Sequence, residues 1–533
     1  MFRFGDLNAR LTAISAAVLS AISFNTQAAT ATYNPTDNTV DLPVVEVLSG
    51  GASSFFSAKL QLVSGNELVL IDAQPISAGK GTDRNVFDAD TSAVHISSVA
   101  AGADEFYAKL RLVPGAGPMK FTLEQLVNNQ FQGCPDFSTP GPTAGSCVLS
   151  GEIRRDITLT KNIQWILSGG VFIGGDKVDN ATIAINPGTQ IFGQQGADFL
   201  WIRRGSKIMA EGTPDNPIVF SGPSQQAAGE WGGLVLSGLA RINGCNQDVA
   251  VCEVANEAIT SEFSGGDNDA DNSGVLKYVQ ILFAGFAVRP DEELNGLTLN
   301  SVGSGTLIDY VQVHAGLDDG IEMFGGTVNM KHLVLTNIED DSLDWGLGWR
   351  GKAQFVLAKQ SASDGDHGIE ADNNPTNNNL LPRSKPVLSN MTFIGTPVSQ
   401  SSGALLRRGT GVNIWNSVFT QFRNCLTIDG EATSALASAP GELTIAHSFV
   451  HGCENNFSEA NGATISTADW FNSQPGNKVE DPLLSGYLPA FGSPLTLAGT
   501  AVNDAFFTTV DYVGAFKDAD DDWTQEWTFP FAN

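Results

Sequence analysis

The chain has 533 residues, 42% hydrophobic and only 16% charged, and its 58 acidic side chains against 29 basic ones give a formal net charge of −29. So acidic a surface repels a phosphate backbone and excludes nucleic acid as a partner. A chain this long exceeds one globular core unless its architecture repeats.

Arg3 and Arg10 precede an apolar stretch from Leu11 to Phe24, and small residues follow through Ala28, Ala29 and Ala31. This pattern predicts a secretory signal peptide over residues 1–28. The apolar stretch is too short for a membrane span, no later stretch reaches that length, and no cysteine lies nearby to carry a lipid. The expected product is exported, without a transmembrane anchor, to the periplasm, the cell surface or the medium.

Residues 29–127 carry an internal duplication. Phe56, Ala58, Lys59, Leu60, Leu62, Val63 and Gly65 reappear 50 positions later as Phe106, Ala108, Lys109, Leu110, Leu112, Val113 and Gly115. Both copies alternate apolar and polar residues, as half-buried antiparallel strands do. A small duplicated antiparallel β module, sandwich-like in form, is expected.

Residues 128–150 are rich in Gly, Pro, Ser and Thr around Cys134 and Cys147 and read as a pinned linker. The six cysteines are three near neighbours in sequence: Cys134 with Cys147, Cys245 with Cys252, and Cys425 with Cys453. Fifteen connectivities are formally possible, but in an exported chain local staples need the least rearrangement. None of the pairs has the spacing of a zinc site.

From residue 151 to 533 the chain becomes a succession of short strands closed by Gly, Pro, Asn or Asp. Examples are Thr182-Ile183-Ala184-Ile185, Phe199-Leu200-Trp201-Ile202, Tyr278-Val279-Gln280-Ile281, Tyr310-Val311-Gln312-Val313 and His332-Leu333-Val334-Leu335. With 57 glycines and little apolar spacing of helical period, this predicts an all-β chain whose larger part is a right-handed parallel β-helix. Trp523 and Trp527, near the carboxy terminus, are expected to cap its end.

Three runs share one pattern: Asp318-Asp319-Gly320-Ile321-Glu322, Asp340-Asp341-Ser342-Leu343-Asp344 and Asp366-His367-Gly368-Ile369-Glu370. They begin 22 and then 26 residues apart, which is a β-helix coil period. Successive coils lie about 4.8 Å apart, so the acids would stack into a carboxylate ladder. Such a ladder either raises pKa values or holds a cation. Against this, Asp, Gly and Ser also serve tight corners by their own turn chemistry.

The segments Pro187-Gly188-Thr189, Ile202-Arg203-Arg204-Gly205-Ser206-Lys207-Ile208, Gly212-Thr213-Pro214-Asp215-Asn216-Pro217-Ile218, Trp231-Gly232-Gly233-Leu234, Asp318 through Thr327, and Gly514-Ala515-Phe516 with Trp523 and Trp527 resemble one group of proteins. These are secreted bacterial right-handed β-helix proteins, often labelled lipoproteins or cell-surface proteins, without an established activity. The resemblance implies fold and location more than chemistry. The chain lacks the lipidated cysteine that the lipoprotein label requires.

Chemistry is expected first at the ladder. Asp318, Asp319, Glu322, Asp341, Asp344 and Glu370 are candidate ligands for Ca2+. Asp340, Asp341, Asp344, His367, Arg350 and Lys352 are candidate catalytic groups, and Trp345 and Trp349 are candidate platforms for sugar rings. Asp340-Asp341 and His367-Gly368 weakly echo the cleft of β-helical polygalacturonases, whose other signatures are absent. A second calcium candidate is the loop Gly266 to Gly274, with Asp267, Asp269 and Asp271 at alternate positions, although a solvated acidic loop is the stronger reading of it. A third is the run Asp518 to Asp522. The resulting expectation is a calcium-stabilised surface or matrix scaffold that binds polysaccharide, with a polysaccharide lyase or glycoside hydrolase on the same face as the alternative.

Overall fold

The computed structural model describes residues 30–532 except 51, 78–84, 103, 116, 246–248, 289–293, 362–364 and 397–400. The signal peptide expected over residues 1–28 lies outside the described residues. Two compact units follow, Met1–Gln132 with Thr160–Asn162, and Gly133–Leu159 with Ile163–Asn533.

In the first unit the duplicated strands are Thr39–Ser49, Ala52–Ser64 and Glu67–Pro75, then Ala93–Ala101, Asp104–Val113 and Lys120–Asn128. Each set is an antiparallel meander, and the two meanders join edge to edge where Glu67–Pro75 pairs with Lys120–Asn128. The short strands Ala31–Asn34 and Asn85–Asp88 make parallel contacts with the opposite copy and close the eight-stranded sheet on itself. The sandwich expectation is therefore corrected to one closed sheet. It buries Leu42, Leu60, Ile96 and Leu110 as its core and leaves no long unpaired edge.

The second unit is the parallel β-helix. Its first long strand, Ser146–Ile153, pairs in parallel with Gln164–Ile173, so the helix already includes the end of the segment expected to be a linker. Three parallel sheets run the length of the unit. Their inward residues, among them Leu200, Leu234, Leu297, Ile321, Leu343 and Ile369, merge into one continuous apolar core. The three staples are Cys134–Cys147, Cys245–Cys252 and Cys425–Cys453.

At one corner of six successive coils a single non-glycine residue turns the chain through positive φ: Tyr278, Tyr310, His332, Phe355, Asn390 and Asn416, with φ between 47° and 60°. For a bulky residue that conformation is unfavourable. Stacking offsets it, with ring centroids 4.5 Å apart for Tyr278–Tyr310, 4.2 Å for Tyr310–His332 and 5.0 Å for His332–Phe355.

This corner holds the carboxy-terminal segment. Trp527 meets Tyr278 and Tyr310 edge-on, and Trp523 meets His332. Gln280, Gln312, Gln354, Asn390 and Asn416 hydrogen-bond the backbone of Trp527, Phe529, Thr508, Tyr512 and Thr500 in turn. The terminal segment is thus a strap along the flank, which corrects the expected end cap. Beside the last coils, the helix Thr467–Ser473 instead turns Trp470 and Phe471 into the core.

Candidate functional site

Strands Ile321–Phe324, Leu343–Gly346 and Ile369–Ala371 lie side by side in one sheet, and each alternates buried with half-buried residues. Ile321, Leu343 and Ile369, then Met323, Trp345 and Ala371, point into the core. Glu322 pairs with Asp344 and Asp344 with Glu370, so the three carboxylates project from the outer face in one row.

The turn before each strand supplies a second, deeper row. Asp319 and Asp341 are buried, and each caps the backbone of the next coil: the Asp341 amide donates to Asp319 Oδ1 at 3.1 Å, and the His367 amide to Asp341 Oδ1 at 2.6 Å. One coil earlier Asn295 takes the same place. It accepts from the Asp319 amide at 3.2 Å and donates to Glu322 Oε2 at 2.6 Å. Gly320 is required where these rows meet, because a Cβ there would lie 2.6 Å from the Ser342 carbonyl oxygen.

Burial and mutual repulsion dominate the electrostatics. Asp319, Glu322 and Asp344 are pushed well above the usual carboxylate range, first by desolvation and then by neighbouring acids. Among the described residues these three take part in no ion pair. At the upper end Arg407 pairs with Glu370 and, at 2.8 Å, with Asp372, while Arg408 adds a 2.7 Å contact to Asp372. Desolvation still raises Glu370 to about 7. Burial opposes a charge on His367, but hydrogen bonds to Asp341 and Asp366 overcome it and hold the imidazolium up to about 10.

Four groups converge closely enough to share one ion: Asp318 with Asp319 and Asp340; Asp319 with Glu322 and Asp344; Asp340 with Asp341 and Asp366; and Asp341 with His367 and Glu370. Within each, the potential ligand atoms lie within 4.8 Å of one another. Three of the four sets are purely carboxylate oxygen, the donor chemistry of a hard cation such as Ca2+. The set of Asp319, Glu322 and Asp344 fits best, being buried or half-buried and free of ion pairs among the described residues.

Residues 151–482 match the family described as the pectate-lyase-like β-helix domain. The chain belongs to that family. No curated protein sequence matches it. Among solved structures, the crystal structure of the periplasmic alginate epimerase AlgG aligns over 65% of this chain and 81% of that chain, with 9% identity and a TM-score of 0.22.

Several expected site residues lie elsewhere in this family member. Trp345 and Trp349 are fully buried, with ring centroids 5.6 Å apart, and their indoles donate inward to Thr410 Oγ1 and the Val328 carbonyl. They are core residues and cannot serve as sugar platforms. Arg350 pairs with Asp269, and Lys352 with Asp504 of the strap, so neither completes the acid face.

The 267–271 loop is corrected too. Asp269 is taken by Arg241 and Arg350, Asp271 accepts from the Leu239 amide, and Asp267 stays exposed. These acids clip a neighbouring turn rather than encircle an ion. In the terminal run, Asp518, Asp521 and Asp522 cap local amides. Arg407, Asp372 and Asn295 went unpredicted.

Proposed function

We propose that this protein is an exported, polysaccharide-associated β-helix whose acid face holds calcium. The observation that carries this reading is the convergence of Asp319, Glu322 and Asp344, three carboxylates with raised pKa values that take part in no ion pair among the described residues. A divalent cation placed there would remove the repulsion that the fold otherwise tolerates. The family and the three disulfides support an extracytoplasmic role in carbohydrate binding. Among the described residues no helix is long and apolar enough to cross a membrane.

Held by Asp319, Glu322 and Asp344, calcium would neutralise the face and supply a hard cation for sugar oxygens. Asn295 orients Glu322, and the Asp319 and Asp341 turns fix the spacing of successive coils. Thermal unfolding with calcium and then with chelator tests the reading, since an ion bound only by the native state raises the midpoint by mass action. An unchanged midpoint overturns it.

A second reading is polysaccharide cleavage on the same face. Its support is the group of Asp341, His367 and Glu370, where a charged imidazole adjoins a carboxyl raised to about 7. Groups of such different proton affinity side by side suit general acid–base work. Glu370→Gln should then abolish the release of new chain ends from polygalacturonate while leaving its binding intact. Equal release by the variant and the native protein rules this reading out.

A further inference from the structure

Beside the acid row runs a second outward row in the same sheet: Asn300, then Phe324, then Gly346, paired in register. Asp372 follows on the next coil, its Cβ 3.9 Å from where a Cβ on Gly346 would stand. Phe324 is half-buried and on the outward parity, unlike the fully buried Met323 beside it.

Gly346 is the informative residue. Glycine inside a strand weakens it and marks a bulge or a close approach of backbone or ligand. Here no protein group among the described residues makes that approach: φ is not positive, and a Cβ would meet none of them nearer than that 3.9 Å contact. Neither the backbone nor the packing calls for glycine. What it leaves is a notch between the Phe324 ring and the Asp372–Arg407 pair. The notch is two coil spacings, about 10 Å, wide and opens beside Glu322 and Asp344.

We propose that this notch is a subsite for one sugar ring of a bound polysaccharide. The apolar face of the ring lies on Phe324, the space over Gly346 admits its thickness, and Asp372 with Arg407 accepts from and donates to its hydroxyls. An aromatic face next to a paired carboxylate and guanidinium meets both surfaces of a pyranose at once. Phe324 thus takes the platform role for which Trp345 and Trp349 are too deeply buried. The subsite rests on the polysaccharide-associated reading and narrows it to named contacts.

The test is affinity electrophoresis of the full mature chain in gels containing polygalacturonate or a neutral β-glucan, with calcium present. Phe324→Ala should weaken retardation roughly tenfold, Phe324→Tyr should preserve it, and Gly346→Leu should abolish it by filling the notch. A Cβ at Gly346 makes only an ordinary contact with Asp372, so the unfolding midpoint of Gly346→Leu should stay near that of the native protein and separate blocked binding from misfolding. Native retardation with Phe324→Ala and Gly346→Leu overturns the subsite and leaves the broader reading standing. Absence of binding by the native protein to either polymer overturns both.

Discussion

Glu322 and Asp344 are register partners on adjacent coils, facing outward from the same sheet with Asp319 behind them. Two carboxylates about 4.8 Å apart cannot both ionise there without opposing the fold. Asp344→Asn keeps the shape and removes one charge. In chelator it should therefore unfold at a higher temperature than the native protein, whereas the stabilisation gained from calcium should fall to a small fraction of the native value. Calorimetry with and without calcium checks both signs; a lower midpoint in chelator would mean that the row is already neutral by other means.

Two groups with opposite signs illustrate the pH dependence, and Asp319, Glu322 and Asp344, raised like Glu370, add to its side. Glu370 is raised from 4.5 to about 7, so between those values the native state holds a proton that the unfolded state has lost, and stability falls as pH rises through the window. His314 is lowered from 6.5 to about 4 by burial. The unfolded state there binds the extra proton, and stability falls as pH drops from 6.5 towards 4. Each amounts to about 3 kcal/mol at most. In chelator the two oppose one another near pH 5–6. With calcium the contribution of the raised carboxyls that hold the ion should be lost and that of neighbouring Glu370 should shrink, so that the His314 slope dominates and stability climbs with pH up to about 6.5. Denaturant unfolding across pH 4–8 in the two conditions reads the difference, and His314→Gln should flatten the calcium curve.

The ladder was legible because its 22- and 26-residue spacings match the coils that carry it, so Glu322, Asp344 and Glu370 stack as the pattern demands. Arg407 was not, because the loop through residues 374–384 lengthens the next coil, so that Glu370 finds its register partner only at Leu405, 35 residues on, and the place of Arg407 above Glu370 is hidden. Trp345 was misread although the signal was present. It lies two residues after Leu343, on the inward parity, and only Asp344 between them faces out. The strap was hidden for another reason: its partners, Gln280 to Asn416, are spread over coils whose spacing says nothing about what lies across the corner.

Trp345→Ala separates core from platform. The side chain is fully enclosed and its indole donates to Thr410 at 3.1 Å. Truncation should cost about 3–5 kcal/mol, while any polysaccharide affinity measured below the unfolding transition should change little. Loss of affinity at unchanged stability would return Trp345 to the binding surface.

Asn416 fastens the strap with two hydrogen bonds to one residue, donating to the Thr500 carbonyl at 2.8 Å and accepting from the Thr500 amide at 2.9 Å, while its own φ is 49°. Asn416→Ala loses both bonds and strains the corner; Asn416→Gly loses the bonds but tolerates the conformation. Alanine should therefore destabilise the protein more than glycine does, by about 1 kcal/mol. In both variants amide exchange should quicken around residues 498–502, which depend on these bonds, and stay slow in the inward strands. Equal destabilisation by the two substitutions would place the whole effect in the strap contacts and none in the corner. Unchanged exchange at 498–502 would show that the aromatic stack of Tyr278, Tyr310 and His332 against Trp523 and Trp527 holds the strap without them.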